Sequence, residues 1–168
     1  MTLPISAVLF DIDGTIVDSA PAVMGAFRAA LSDFGLPIPD DQRLRTYVGP
    51  PLWHSFGDLG YSGQLLADLV TRYRERYVHH YLDPEPFEGV PELVWDLHRA
   101  GVPVATATSK QVPMAIAQME HLGLSQAFDV IAGATPDPAS SKTTVIHEAV
   151  ARLGALGADV SHPVIVGD

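Results

Sequence analysis

Four short runs of apolar or β-branched residues, Ala7–Phe10, Val102–Thr108, Phe128–Ile131 and Pro163–Gly167, limit what this chain can fold into. Each has the length of a strand, and helical patterns separate the later ones. Leu93, Val94 and Leu97 mark the first helix, Ala115, Ile116, Met119 and Leu122 the second, and Val145, Ile146, Ala149, Val150 and Leu153 the third. Gly101 and Gly123 follow the first two, where a C-terminal cap is expected. Strand, helix, strand, helix at this spacing predicts an α/β fold, a parallel sheet with crossover helices.

The stretch from Ser19 to Leu82 breaks that rhythm and reads as helical throughout. Ser19-Ala20-Pro21 suits an N-cap with proline in the first turn. Val23, Phe27, Leu31 and Phe34 repeat at helical spacing up to Gly35, and Val48-Gly49-Pro50-Pro51 marks another helix start. Leu65, Leu69, Tyr73, Tyr77 and Tyr81 form a ladder at every fourth residue, which predicts a packing seam between helices. The proline-rich segment 83–89 is a stiff connector. The expected division is therefore an α/β core of residues 1–17 and 84–168, with residues 18–83 inserted as an all-helical domain.

The first apolar run ends in Asp11-Ile12-Asp13-Gly14-Thr15. Side chains at i and i+2 of a strand share a face, so both carboxylates converge while Ile12 points away. Gly14 allows a sharp turn. Two like charges held that close call for a metal ion or a proton. The same sequence also suits an ordinary strand-to-turn junction. A calcium loop needs a further acid at a fixed offset, which is absent. Two later runs end in polar residues of matching kind, Thr108-Ser109-Lys110 and Gly167-Asp168. In an open parallel sheet the carboxyl ends of the strands line one crevice, where ligands bind.

Composition narrows the chemistry. A chain of 168 residues with a net charge of −10 and only 10 Lys+Arg is unsuited to nucleic acid or an anionic membrane, both of which select clustered positive charge. No run has the length of a membrane span, and no basic segment followed by an apolar one suggests export. The absence of cysteine removes thiolate nucleophiles, thiolate metal sites and disulfides, and is compatible with a cytoplasmic location. His79 and His80 lack partners at zinc-ligand spacing. A phosphate site in so acidic a molecule must be made locally positive by a bound cation and a few specific basic residues.

The segment Asp-Ile-Asp-Gly-Thr-Ile-Val-Asp-Ser, residues 11–19 after the apolar run, resembles the first motif of the haloacid dehalogenase superfamily, in its phosphohydrolase branch. The resemblance implies a Rossmann-like parallel sheet core with an inserted helical cap of the C1 type. It makes Asp11 the nucleophile that forms an aspartyl-phosphate and Asp13 the general acid/base. An acid at position 13 sets the chain apart from the dehalogenases. Thr108 matches the second motif, a hydroxyl on a phosphoryl oxygen, with Ser109 as a further donor. Lys142, at a helix start, matches the third and offsets the charge of Asp11 and the phosphate. Lys110, the rival cation beside the second motif, is expected to line the entrance. Asp168 matches the first acid of the fourth motif and would hold one Mg²⁺ together with Asp11 and the main-chain carbonyl of Asp13.

That motif normally continues to a second acid, a helix and a strand. The expectation is thus a fragment, with the C-terminal part of the core missing. In the helical insertion, Gly49-Pro50-Pro51-Leu52 resembles a cap motif of phosphoglycolate phosphatase-like and 5′-nucleotidase-like members. A helix beginning at Pro51 would offer its positive end to an anion. Gly49, Pro50 and His54 are accordingly candidate substrate contacts. For Trp53 and His54 packing and solvation are equally good accounts, and Arg43 and Arg45 read by default as a solvated face. The expected function is Mg²⁺-dependent hydrolysis of a small, phosphoglycolate-like phosphate monoester. The alternatives are a 5′-nucleotidase, a sugar phosphomutase, or a non-catalytic phosphoacceptor.

Overall fold

The computed structural model describes residues 5–137 and 139–167. The chain divides into two compact units, one of residues Met1–Asp18 and Pro86–Asp168 and one of Ser19–Glu85.

The first unit is built on a four-stranded parallel sheet of β1 (Ala7–Phe10), β2 (Val104–Gln111), β3 (Val130–Ala134) and β4 (Pro163–Val166), in the order β3-β2-β1-β4. Alternation along β1 explains its unbroken apolar run, because both faces are covered. Val8, Phe10 and the following Ile12 join Val94, Val104, Met119 and Phe128 on one face. Ala7 and Leu9 join Ala105, Ala107, Val130, Ala132, Val145, Ala149 and Leu153 on the other. Val94 belongs to a helix at Val90–Arg99, Met119 to one at Val112–His121, and Val145 to one at Lys142–Ala155. The sheet is thus wound on both faces. On β4 the side chains of Val164, Ile165 and Val166 are exposed.

Three strands differ from their expected bounds, β4 only in ending at Val166 instead of Gly167. β2 begins at Val104, because Pro103 has no N–H to pair; its carbonyl still accepts from the Val8 N–H at 2.9 Å. β3 begins at Val130 instead of Phe128. The Phe128 ring meets Phe10 edge-on, with centroids 6.4 Å apart, and the Asp129 carboxylate accepts from the Val104 N–H at 2.8 Å.

The second unit contains α1 (Ala20–Asp33), α2 (Asp41–Arg45), α3 (Leu52–Asp58) and α4 (Gly63–Tyr77). In chain order the three helices of the first unit are then α5 (Val90–Arg99), α6 (Val112–His121) and α7 (Lys142–Ala155). Phe27 is the hub of the helical unit, with its ring 4.8 Å from Phe56 and 4.9 Å from Tyr73. The expected ladder on α4 is rotated at its start. Leu65 is exposed and Leu66 packs inward, because the buried stripe runs through Leu69, Val70 and Tyr73. Tyr73 stacks on Tyr77 at 5.6 Å, and Tyr81 lies beyond the helix end. Arg43 is not merely solvated: it donates to Tyr47 Oη at 2.7 Å and to Asp58 at 2.6 Å.

Candidate active site

Each candidate residue in the α/β unit occupies an end that the sheet brings forward. Asp11 follows β1, and its N–H donates to the Val166 carbonyl of β4 at 2.9 Å, so the nucleophile candidate is seated between neighbouring strand ends. Its carboxylate is buried and held at both oxygens. Oδ1 accepts the Ile12 N–H at 2.7 Å, and Oδ2 is paired with Lys142 Nζ. A chain reversal follows: Gly14 takes φ 75°, and its N–H donates to the Val17 carbonyl.

Lys142 is the first residue of α7. Its place is fixed by a capping box: the Ser141 hydroxyl accepts the Thr144 N–H at 3.2 Å, while the Thr144 hydroxyl accepts the Ser141 N–H at 2.8 Å. The Lys142 side chain keeps 30% of its surface in solvent while its ammonium is paired with Asp11.

Thr108 lies two residues beyond the last β1–β2 pair, Phe10 with Thr106, and is almost fully buried. Its hydroxyl oxygen accepts the Lys110 N–H at 3.1 Å. From Thr108 to Gln111 β2 advances three residues, while β3 advances one, from Gly133 to Ala134. This bulge leaves Ser109 exposed and turns Lys110 inward.

The position of Lys110 corrects the expectation that it lines an entrance. Its side chain is only 3% exposed, with Nζ 3.2 Å from Asp13 Oδ1 and donating to Gln118 Oε1 at 2.6 Å. The cause is the close approach of β3: a Cβ on Gly133 would stand 2.5 Å from the Lys110 carbonyl oxygen. Gln118, on α6 and fully buried, gives no signal in the sequence, because it falls among the apolar positions Ala115, Ile116, Met119 and Leu122 that mark the helix. The chain has only two lysines, and each faces one of the two aspartates.

The acceptors here are the carboxylate oxygens of Asp11 and Asp13, a ligand type that suits a hard cation. Asp13 Oδ1 is buried and, among the described residues, accepts no well-aligned hydrogen bond, despite its ion-pair contact with Lys110. Among the described residues no group of three acids or histidines assembles, and Asp168, the further acid expected in the set, lies outside the described residues. Gly49, Pro50 and His54 belong to the helical unit. There α3 begins one residue later than expected, with Pro51 as its N-cap, and is seven residues long.

A family model for haloacid dehalogenase-like hydrolases matches residues 8–168. The chain belongs to this family. Among curated relatives of the hydrolase family, the tyrosine-protein kinase PtkA of Mycobacterium tuberculosis is 37% identical over 163 residues, which cover 96% of this chain and 55% of that protein. The phosphoglycolate phosphatase of Caulobacter vibrioides is 34% identical, covering 97% of this chain and 71% of that enzyme. The chain thus spans about half the length of the kinase relatives it matches. Among solved structures, a haloacid dehalogenase-like hydrolase of Streptococcus pneumoniae superposes with a TM-score of 0.87 at 31% identity, over 98% of this chain and 76% of that one.

Proposed function

We propose that the protein is a phosphatase that hydrolyses a small phosphate monoester by way of an aspartyl-phosphate on Asp11. The observation that carries this reading is the pairing of Asp11, a buried carboxylate at the end of β1, with Lys142 at the start of α7. A carboxylate fixed by a main-chain N–H and an ammonium is oriented for attack before substrate arrives.

In the first half-reaction an Asp11 oxygen forms a bond to phosphorus as the phosphorus–alkoxide bond breaks. The leaving oxygen takes its proton from the Asp13 carboxyl group. In the second, Asp13 takes a proton from water, whose oxygen bonds to phosphorus as the Asp11 ester bond breaks and phosphate leaves. Thr108 would donate its hydroxyl proton to a phosphoryl oxygen, Ser109 would add a donor, and Lys142 would offset the charge gathered on the phosphoryl oxygens. Asp11, the Asp13 carbonyl and Asp168 would hold Mg²⁺, which supplies charge neutralisation for the phosphoryl group.

Residues 18–83 are proposed as the cap that selects the alcohol, through Gly49, Pro50 and His54. A phosphoglycolate-like substrate is supported by the 34% identity to the Caulobacter enzyme. The test is release of inorganic phosphate from p-nitrophenyl phosphate with Mg²⁺, by parent and by Asp11→Asn. The parent should turn over and the variant should lose on the order of 10³-fold or more. Equal rates would remove Asp11 as the nucleophile.

A second reading, phosphoryl transfer to a protein tyrosine, is favoured by the 37% identity to PtkA. Transfer of label from γ-labelled ATP to a tyrosine, with no hydrolysis of small monoesters, would select it.

A further inference from the structure

Lys110 has no part in the reaction as written above, yet its ammonium is the most thoroughly buried cation in the α/β unit, with 3% of its side chain exposed. Burying an ammonium is expensive unless its neighbours repay the lost hydration. A position held only for packing would be served as well by methionine. The chain instead surrounds this group with polar partners. Gln118 Oε1, on α6, accepts from Nζ at 2.6 Å, and Asp13 Oδ1 lies 3.2 Å away. Gln118 is fully buried as well, so the ammonium is bonded to a partner that is itself held in the core.

The two oxygens of Asp13 are not equivalent. Oδ1 is sealed from solvent, whereas the side chain as a whole retains 25% of its exposure, which therefore falls on its other atoms. The contact between Oδ1 and Lys110 is an ion pair without an aligned hydrogen bond, so charge more than bond direction holds that oxygen inward.

We infer that Lys110, braced by Gln118, is a positioning residue that pins Asp13 Oδ1 and leaves Oδ2 to give the proton to the leaving oxygen and to take one from water. The sheet itself delivers the lysine. Gly133 on β3 lets that strand close to a distance no Cβ would tolerate, and the resulting bulge in β2 aims Lys110 at the aspartate. The inference deepens the phosphatase reading, on which the destination of the proton rests.

The test uses Lys110→Met, which keeps the length and removes the charge, and compares kcat/KM on an alkyl phosphate with that on p-nitrophenyl phosphate. Nitrophenolate departs without a proton, whereas an alkoxide needs one. Loss of proton-donor geometry should therefore lower kcat/KM on the alkyl phosphate by about tenfold more than on the nitrophenyl ester. An equal fall on both, or none, overturns the proposal, because a merely structural role affects both substrates alike. Gln118→Met should show the same bias in smaller measure, and decides the matter by the same criterion should Lys110→Met not fold. Crystal structures of parent and variant give a readout independent of turnover. Asp13 should swing Oδ1 out of its buried position while Asp11 and Lys142 stay paired; an unmoved Asp13 overturns the proposal. A parent that releases no phosphate would defeat the phosphatase reading alone, and the position of Asp13 in the variant crystal would still decide the role of Lys110.

Discussion

Both lysines of the chain pair with an aspartate beyond β1, but the fold delivers them by opposite means. Lys142 arrives from the start of α7, in a frame made by residues next to it in sequence, and stays partly in water. Lys110 arrives from a bulge whose shape depends on a glycine in another strand, and is sealed from solvent. The difference teaches that a charge can be set by local hydrogen bonds where solvent access is needed, and by strand pairing where it must be excluded. The locally framed lysine keeps part of its surface in water, while the buried one faces Asp13 and Gln118.

The largest expected effect breaks the first pair. Lys142→Met should lower phosphate release by about 10²–10³-fold, the usual loss when one preorganised charge at a developing anion is removed. Circular dichroism should stay unchanged, because the ammonium is not part of a core. A variant within a fewfold of the parent would mean that Lys110 or the metal suffices for the charge, and that the two lysines are less distinct than their settings suggest.

Next comes the frame of the second pair. Gly133→Ala places a methyl group 2.5 Å from the Lys110 carbonyl oxygen, a backbone atom that cannot step aside. Overpacking of this kind costs about 1–3 kcal/mol, so the denaturation midpoint should fall visibly. The same variant should carry over the leaving-group bias expected of Lys110→Met, because the bulge that aims the lysine has to open. A stable variant with unchanged kinetics would show that the bulge does not depend on the glycine.

These two settings also explain what could be read in the sequence. Asp11, Asp13 and Lys142 stand out in the sequence because each has distinctive neighbours, an apolar run with Asp-x-Asp-Gly and a Ser-Ser-Lys helix start, and the structure brings Lys142 to Asp11. The parallel sheet with crossover helices followed from the same local periodicities, whereas the order β3-β2-β1-β4 is set by pairing between distant segments. The burial of Lys110 was not legible, since it goes with a bulge where β2 approaches Gly133 of β3, some twenty residues away. Gln118 was hidden for a related reason. On α6 the apolar Ile116 is exposed while Gln118 is buried, because a polar group was needed beside an ammonium. On α4 a similar rotation exposes Leu65, set by the packing of Leu69 and Tyr73 around Phe27. Local patterns gave the elements, and pairing between distant segments gave their orientation.

A smaller effect probes the frame of the first pair. Ser141→Ala removes the acceptor for the Thr144 N–H, and loss of an N-cap of this type costs about 1 kcal/mol. Turnover should fall by less than in Lys142→Met, since the lysine remains but its helix start is looser. Thermal melting and phosphate release, measured on one preparation, check both parts.

The smallest effect lies in the helical unit, where an exposed pair offers a control for the two near the sheet. Asp33, the last residue of α1, accepts from Arg76 Nε at 2.9 Å and from an Arg76 terminal nitrogen at 2.8 Å; Arg72 lies 3.3 Å away. The Arg76 hydrogen bonds, ahead of the charges of Arg76 and Arg72, hold the Asp33 carboxyl below its ordinary value. A carboxyl whose folded value is depressed adds stability that is present above its unfolded value, about 3.9, and lost as pH falls through the folded one. The melting-temperature difference between parent and Asp33→Asn should therefore be small but constant above about pH 5, and shrink as pH falls through the lowered folded value of the carboxyl. Added salt should shrink it, because the pair is open to solvent. The same salt series should leave the leaving-group bias of Lys110→Met unaltered, since the Lys110 ammonium is shielded from ions. A bias that fades with salt would place that lysine in the same class as the surface arginines and erase the distinction between a buried positioning charge and an exposed one.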